Sequence, residues 1–276
     1  MVPIAAAAPD TLVDTCGTGG GAVTTFNIST AAALVAAGAG VRIAKHGNRS
    51  FTSRSGSADV LEALGVPLDA TPAVMEAVLR DAGIVFMFAP TLHPAMRHVG
   101  PVRRELGIPT VMNIIGPLAN PAGAGRQVVG VADPNRMPLL AGALATLGSV
   151  HALVVHGEPG MDEVSPIGVT HVAEVVGGTL REWTIDPGAL GFTPTPVEDL
   201  AGGDPATNAR IIESVLAGTA PPGARAAVLL NAAAAIYVSG LARSLAEAVG
   251  RATAALDDGA GKRALERMRE GYRVER

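Results

Sequence analysis

Short runs of β-branched residues alternate with Ala- and Leu-rich stretches along most of this chain. That alternation restricts it to an α/β layered fold. Residues 12–16 predict a strand, followed at once by Gly17-Thr18-Gly19-Gly20-Gly21. A helix of small residues is expected over 29–37 and a second strand over 41–44. Residues 57–64 and 72–81 read as helices, the latter with Val74, Met75, Val78 and Leu79 on one face. The apolar run Ile84-Val85-Phe86-Met87-Phe88, between Gly83 and Pro90, predicts a central parallel strand. Further strands are expected at 127–131, 150–156, 169–176 and 178–185. Helices fit 138–147, 206–216, 223–239, 241–256 and 261–269. Residues 187–204, with their Pro and Gly, predict a surface connection to a helical C-terminal part.

With 48% hydrophobic and only 3% aromatic residues, the core must be built from Ala, Val, Leu and Ile. A mean hydropathy of +0.34 makes a membrane span worth testing. The most apolar stretches, 31–41 and 226–238, fall short of the roughly 18–20 residues a spanning helix needs. The second is interrupted by Asn231. The first residues carry no positive segment and meet Asp10 early, unlike a signal peptide. The single Cys16 forbids an intrachain disulfide and suits a reducing compartment, so a cytoplasmic protein is expected. A net charge of -4 argues against bulk nucleic-acid binding. Of 21 Lys and Arg, only Lys45 and Lys262 are lysines, which marks Lys45 as a candidate point charge for a phosphate.

Glycines after a strand let backbone N–H groups approach an anion, and a following helix start adds a favourable dipole. Gly17, Gly19 and Ala22 also fit a dinucleotide fingerprint, but that motif expects an acidic residue about 20 positions on, where Arg42 stands. Asn27-Ile28-Ser29-Thr30 opens the first helix either as a cap or as an anion cradle. Lys45-His46-Gly47-Asn48-Arg49 ends the second strand, with Ser50, Ser53, Arg54, Ser55 and Ser57 behind it. So many donors with so little acceptor charge fit a polyphosphate better than a metal, unless they form a solvated loop. Asp162-Glu163 follows a strand end, where adjacent carboxylates suit Mg²⁺ held through oxygen and water, or are plain surface charges. Arg103-Arg104 offers the usual fork for a substrate carboxylate, or a solvated helix face.

In this order these motifs, with His93-Pro94-Ala95-Met96-Arg97, Arg103-Arg104-Glu105-Leu106-Gly107 and the stretch 113–121, resemble the anthranilate phosphoribosyltransferases. The resemblance implies a nucleoside-phosphorylase-like α/β domain (class III phosphoribosyltransferase), a central sheet flanked by helices, with a reduced small helical domain. Residues 1–60 would start the α/β domain and carry the phosphate loops. Residues 61–110 would lie partly in the helical domain, and 111–276 would complete the α/β domain and the C-terminal helices. The implied substrates are 5-phosphoribosyl 1-diphosphate (PRPP) and anthranilate, with Mg²⁺ as cofactor. PRPP would be held by Gly17, Gly20, Gly21, Thr25, Asn27, Ile28, Ser29, Thr30, Lys45, Ser53 and Ser57. Anthranilate would meet Gly17, His46, Asn48, Arg103 and Pro117, while Ser29, Asp162 and Glu163 would serve the metal. Lys45, His46 and Arg103 would be the catalytic set.

The chain departs from the family at Gly21-Ala22, where an Asp-Gly is usual, and in the few residues ahead of the first strand. The second departure predicts a weakened homodimer and exposed apolar faces on later helices, 72–81 among them. A same-fold paralogue binding another ligand or nucleic acid, and a dinucleotide-dependent oxidoreductase, are the alternatives.

Overall fold

The computed structural model describes residues 1–50, 54–96, 98–99, 105 and 111–274, with backbone alone at Met112 and Asn113. Seven strands form one sheet: β1 (Val13–Gly17), β2 (Ile43–Gly47), β3 (Ile84–Phe88), β4 (Arg126–Gly130), β5 (His151–Gly157), β6 (Thr170–Val176) and β7 (Thr179–Ile185). Their order is β3-β2-β1-β4-β5-β6-β7. The first five are parallel, and β5-β6-β7 continue as an antiparallel meander.

Among the described residues, eight helices of seven residues or more clothe the sheet. They are α1 (Ile28–Gly38), α2 (Ser57–Ala63), α3 (Pro72–Ala82), α4 (Met137–Thr146), α5 (Pro205–Leu216), α6 (Pro222–Ser239), α7 (Leu245–Asp257) and α8 (Ala260–Val274). Alternate strand residues face two cores. Val128, Leu153 and Val155 join the larger, under α1 and α6, whereas Val129, Ala152, Val154, Ala173 and Val175 meet α4 in the smaller. Small residues let the helices of the larger layer approach closely. A Cβ on Gly38 would lie 2.6 Å from the backbone of Ala260 and Gly261 at the start of α8. A core almost without aromatic rings reaches native density through such contacts.

Four sequence expectations need correction. The strand Ile84–Phe88 is parallel but lies at the sheet edge, not its centre. It reads as apolar throughout because α3 and α8 pack on it. Tyr272 of α8 also covers its outer edge, the phenol donating to the Phe86 carbonyl (2.8 Å) and accepting from the Phe86 amide (3.2 Å). The apolar face of α3 is not exposed either. Met75, Val78 and Leu79 are buried against α8, each burial contributing roughly 1.5–3 kcal/mol. The helix expected from 241 begins at Leu245, where the Ser244 hydroxyl accepts from the Glu247 amide as a cap. Finally, 187–204 is more than a surface connection. Leu200 is fully buried, its carbonyl accepts from the Phe26 amide, and Ala201 forms a bridge with Thr25.

Candidate active site

The chain leaves β1 outward to β2 and β3, then returns to β4 on the other side of β1. That reversal opens a crevice at the carboxyl ends of β1 and β4, where open α/β sheets bind ligands. The loop after β1 is tied across this point. The Thr18 amide donates to the Gly130 carbonyl (2.9 Å), and the Thr18 hydroxyl accepts from the Ala132 amide (3.1 Å). Gly19 and Gly20 take φ of 69° and 80°, a left-handed path that favours glycine. The Gly19 amide donates to Asp162 Oδ2 (2.7 Å). A Cβ at Gly17 would collide with that carboxylate, and one at Gly130 with the Asp162 carbonyl.

Period-two alternation along β2 sends Lys45 and His46 to opposite faces. On the α1 face, Lys45 is 3% exposed and donates to the Thr15 carbonyl, with Thr15 Oγ1 and Ser29 Oγ each 3.3 Å from Nζ. Burial pulls its pKa down, while Asp14, Cys16 and Glu163 pull it back up. A cavity of about 10 Å³ lies alongside, lined by Thr15, Cys16, Ser29, Asp162, Glu163 and Asn231 among others. Burial raises the pKa of both acids. For Glu163 the Asp162 charge raises it further, and no hydrogen-bond donor reaches its carboxylate among the described residues. Two adjacent, under-compensated carboxylates beside a hydroxyl form an oxygen donor set that fits a hard divalent cation keeping several waters. No cluster of three or more His, Cys, Asp or Glu exists among the described residues, so the protein supplies part of a shell and not a cage.

Asn27 does not cap α1. Its Nδ2 donates to the Ser55 carbonyl (3.1 Å), and its Oδ1 accepts from Ser55 Oγ (3.2 Å) and Asn208 Nδ2 (2.9 Å). Ile28 N–H donates to the Phe26 carbonyl (2.7 Å) and Thr30 N–H to the Asn27 carbonyl (3.1 Å), so the Ser29 amide is the one the helix start offers an anion. Ser57 opens α2 beside Gly47, where a Cβ would strike its hydroxyl. Thr25 and Gly21 lie on the same loop, Gly21 against the Gly160 carbonyl. Ile28 is fully buried and offers the site only its backbone. The Thr30 hydroxyl is buried without a hydrogen-bond partner, bordering an interior cavity with Lys45, Leu61 and Phe86.

On the opposite face, the Asp14 carboxylate is fully buried and accepts from Asn120 Nδ2 (2.8 Å) and the His46 amide (3.1 Å). Burial pushes its pKa up to about 6 against the lowering effect of Lys45 and these donors. Asn120 also donates to the Ala44 carbonyl (2.9 Å), stitching β1, β2 and the segment before β4 together. His46 is 8% exposed, and burial drops its pKa to about 4. Its Nε2 lies 3.2 Å from Nε2 of His93, so one ring donates and the other accepts. Pro117 is held through its carbonyl by Gln127 Nε2 (2.7 Å). Asn48 Oδ1 accepts from the Arg49 amide (2.7 Å).

Arg49 is not a free phosphate ligand. It pairs with Asp59 (2.7 Å) and Glu62 (2.9 Å) and lies over the Phe88 ring. Ser53 and Arg103 fall outside the described residues, as do Arg97 and Arg104. Sequence reasoning missed Asp14, Asn120, His93 and Asn208 as members of these networks. Asn120 and His93 lay inside quoted motifs, but Asp14 and Asn208 carried no local signal. The dinucleotide reading fails, because six residues separate Gly21 from α1 and Arg42 is engaged by the Ala7 carbonyl and Thr11 Oγ1.

A switch-point crevice with a glycine loop, a buried lysine and an acidic pair suits a phosphate-bearing ligand. Residues 9–262 match the family model described as "Glycosyl transferase family, a/b domain". A curated anthranilate phosphoribosyltransferase of Anaeromyxobacter sp. (strain K) is 53% identical over 259 residues, 94% of this chain and 76% of that protein. One from Rubrobacter xylanophilus is 54% identical over 261 residues, 95% of this chain and 76% of its own length. The crystal structure of the Thermus thermophilus enzyme superposes with a TM-score of 0.91 at 44% identity, covering 98% of this chain and 80% of that one. The Saccharomyces cerevisiae enzyme in complex with PRPP and Mg gives 0.89 at 32% identity, covering 98% and 75%. The chain belongs to the anthranilate phosphoribosyltransferase family.

Proposed function

We propose that this chain transfers the 5-phosphoribosyl group of PRPP to the amino group of anthranilate, releasing diphosphate. The observation that carries the reading is the convergence of the glycine loop, the uncapped start of α1, Lys45 and the acidic pair at one switch point. High identity to anthranilate phosphoribosyltransferases supports it, as does the yeast relative's complex with PRPP and Mg.

Breaking the bond from the anomeric carbon to diphosphate builds positive charge on the ribose and negative charge on the leaving group. The site therefore needs positioning and electrostatic stabilisation more than a strong base. The Gly20, Gly21 and Ser29 amides and the Lys45 ammonium would hold the phosphates, with Gly17, Asn27, Ile28, Thr30, Thr25 and Ser57 around them. Asp162, Glu163 and Ser29 would hold Mg²⁺, which when bound neutralises charge on the diphosphate oxygens. With no carboxylate at Gly21-Ala22, this holding rests on the acidic pair. Anthranilate would lie at Gly17, His46, Asn48 and Pro117, its carboxylate on Arg103. Burial keeps His46 neutral at pH 7, so it serves as a hydrogen-bonding wall and not as a cation. The aniline nitrogen attacks with its own lone pair, and the proton it loses needs no buried base.

Mixing the protein with PRPP, anthranilate and Mg²⁺ should abolish anthranilate fluorescence. Persistent fluorescence with folded protein at saturating substrates would overturn the reading. No helix among the described residues is long and apolar enough to cross a membrane, and a cytoplasmic location goes with the reading. A homodimer goes with it too. Sedimentation from low to high micromolar concentration tests that, and a monomer throughout would refute it.

A further inference from the structure

Asn231 is the one polar side chain between Ala226 and Ile236 of α6, and it is 5% exposed. Its amide is fully used. Oδ1 accepts from the Val164 amide (2.9 Å), while Nδ2 donates to the Val164 carbonyl (2.8 Å) and to the Ala227 carbonyl (2.9 Å). Val164 lies between strands, fully buried, so the side chain replaces the strand neighbour that its backbone lacks. Val164 directly follows Asp162 and Glu163, and Asn231 lines the same small cavity as both acids and Ser29.

We propose that Asn231 is a positioning residue for the acidic pair: by clamping both backbone groups of Val164, it sets where the Asp162 and Glu163 carboxylates stand relative to a bound divalent cation. The inference rests on the reading of that pair as a cation site. The carboxylates themselves are weakly held. One amide, that of Gly19, reaches Asp162 from the glycine loop, and no donor reaches Glu163 among the described residues. The backbone must therefore do the aiming. It is wedged against Gly130 and Gly157, where a Cβ would collide with the Asp162 and Glu163 carbonyls, and Thr170 Oγ1 anchors the Ser165 amide at 2.9 Å. Asn231 is the clamp between that wedge and that anchor. Partners that orient metal-binding groups typically change metal affinity by roughly 10–100-fold when removed.

The test is Mn²⁺ binding followed by electron paramagnetic resonance at saturating PRPP, against a PRPP blank. It compares the parent with Asn231→Ala, Asn231→Asp, Tyr237→Phe and the double variant Asp162→Asn/Glu163→Gln. Asn231→Ala should weaken Mn²⁺ by about tenfold or more. It should also raise the Mg²⁺ needed for half-maximal rate more than it lowers kcat at saturating Mg²⁺. Asn231→Asp, which keeps an acceptor for the Val164 amide, should weaken Mn²⁺ as well, although it adds negative charge beside the acids. This variant decides the matter if the alanine variant does not fold. Tyr237→Phe, on the same helix but outside the site, should bind Mn²⁺ as the parent does while losing some stability. Parent-like binding by both Asn231 variants, or tighter binding by Asn231→Asp, overturns the inference while the metal reading stands. Parent-like binding by the double acidic variant overturns both.

Discussion

Carboxylates lie at both ends of β5, a strand roughly 20 Å long: fully buried Glu174 at one, half-buried Asp162 and Glu163 at the other. At its start Glu174, 1% exposed, accepts from His151 Nε2 (2.8 Å), Arg181 Nη2 (2.6 Å), Trp183 Nε1 (2.8 Å) and the Tyr237 hydroxyl (3.0 Å). Burial alone would raise its pKa, but these donors outweigh it and hold the carboxyl below its usual range. Beyond the end of β5, Asp162 has the Gly19 amide and Glu163 has only the distant charge of Lys45, so both pKa values rise. A buried carboxylate with built-in donors ties elements together. A half-buried pair with few donors keeps a demand for positive charge, which the fold leaves for a ligand to meet.

The largest effect should follow from removing that demand. Asp162→Asn/Glu163→Gln should lower kcat/KM by roughly a thousandfold, since single electrostatic groups at reacting centres account for about 10²–10³ in rate. The same variant should be as stable as the parent, or more so, in chemical denaturation without metal. A clear loss of stability would show that the pair is structural, like Glu174, and would erase the contrast.

Asp14 stands between the two cases, with donors from Asn120 and His46 yet a pKa raised to about 6. The folded value lies above the unfolded one near 3.9, so below about pH 4 both states hold the proton and this group is neutral to stability. As pH rises towards 6 the unfolded state ionises first, and stability falls. The span of about two units corresponds to roughly 3 kcal/mol. Urea midpoints at pH 4 and pH 7 should show this fall in the parent, and Asp14→Asn should flatten it. An unchanged slope would mean that the Asn120 and His46 donors fully compensate the charge.

Much of this is legible in the sequence alone. The strand and helix alternation locates every described strand within two or three residues. The period of two in β2 separates the Lys45 and His46 faces. What stays hidden depends on non-local partners. A wholly apolar strand looks the same at a sheet edge as at its centre once α8 lays Tyr272 along it. Arg49 reads as a phosphate ligand until Asp59 and Glu62, ten and thirteen residues on, take its charge. Asn231 is visible as an interruption in an apolar run, but its target is 67 residues away.

Glu174→Gln probes the far end of β5. The amide presents an NH₂ group to donors that expect an acceptor, which should remove about 2 kcal/mol of stability. Turnover and Mg²⁺ dependence should be unchanged, and a shifted Mg²⁺ requirement would show that the two ends communicate.

Arg181→Ala should have the smallest effect, although its ion pair with Glu174 is the shortest in the cluster at 2.6 Å. The Arg181 side chain is 66% exposed, and pairs reaching into solvent contribute roughly 0–1 kcal/mol. His151, Trp183 and Tyr237 would still donate to the carboxylate. Loss of the guanidinium should nevertheless raise the Glu174 pKa towards its usual value, since Arg181 is the leading lowering influence. A depressed folded pKa contributes stability above the unfolded value and loses it as pH falls through the folded one. The variant should therefore lose its acid stability at a higher pH than the parent while matching it to within about 1 kcal/mol at pH 7. A loss well beyond that at pH 7 would mean that the buried charge depends on an exposed partner, and that this end of β5 is no better compensated than the other.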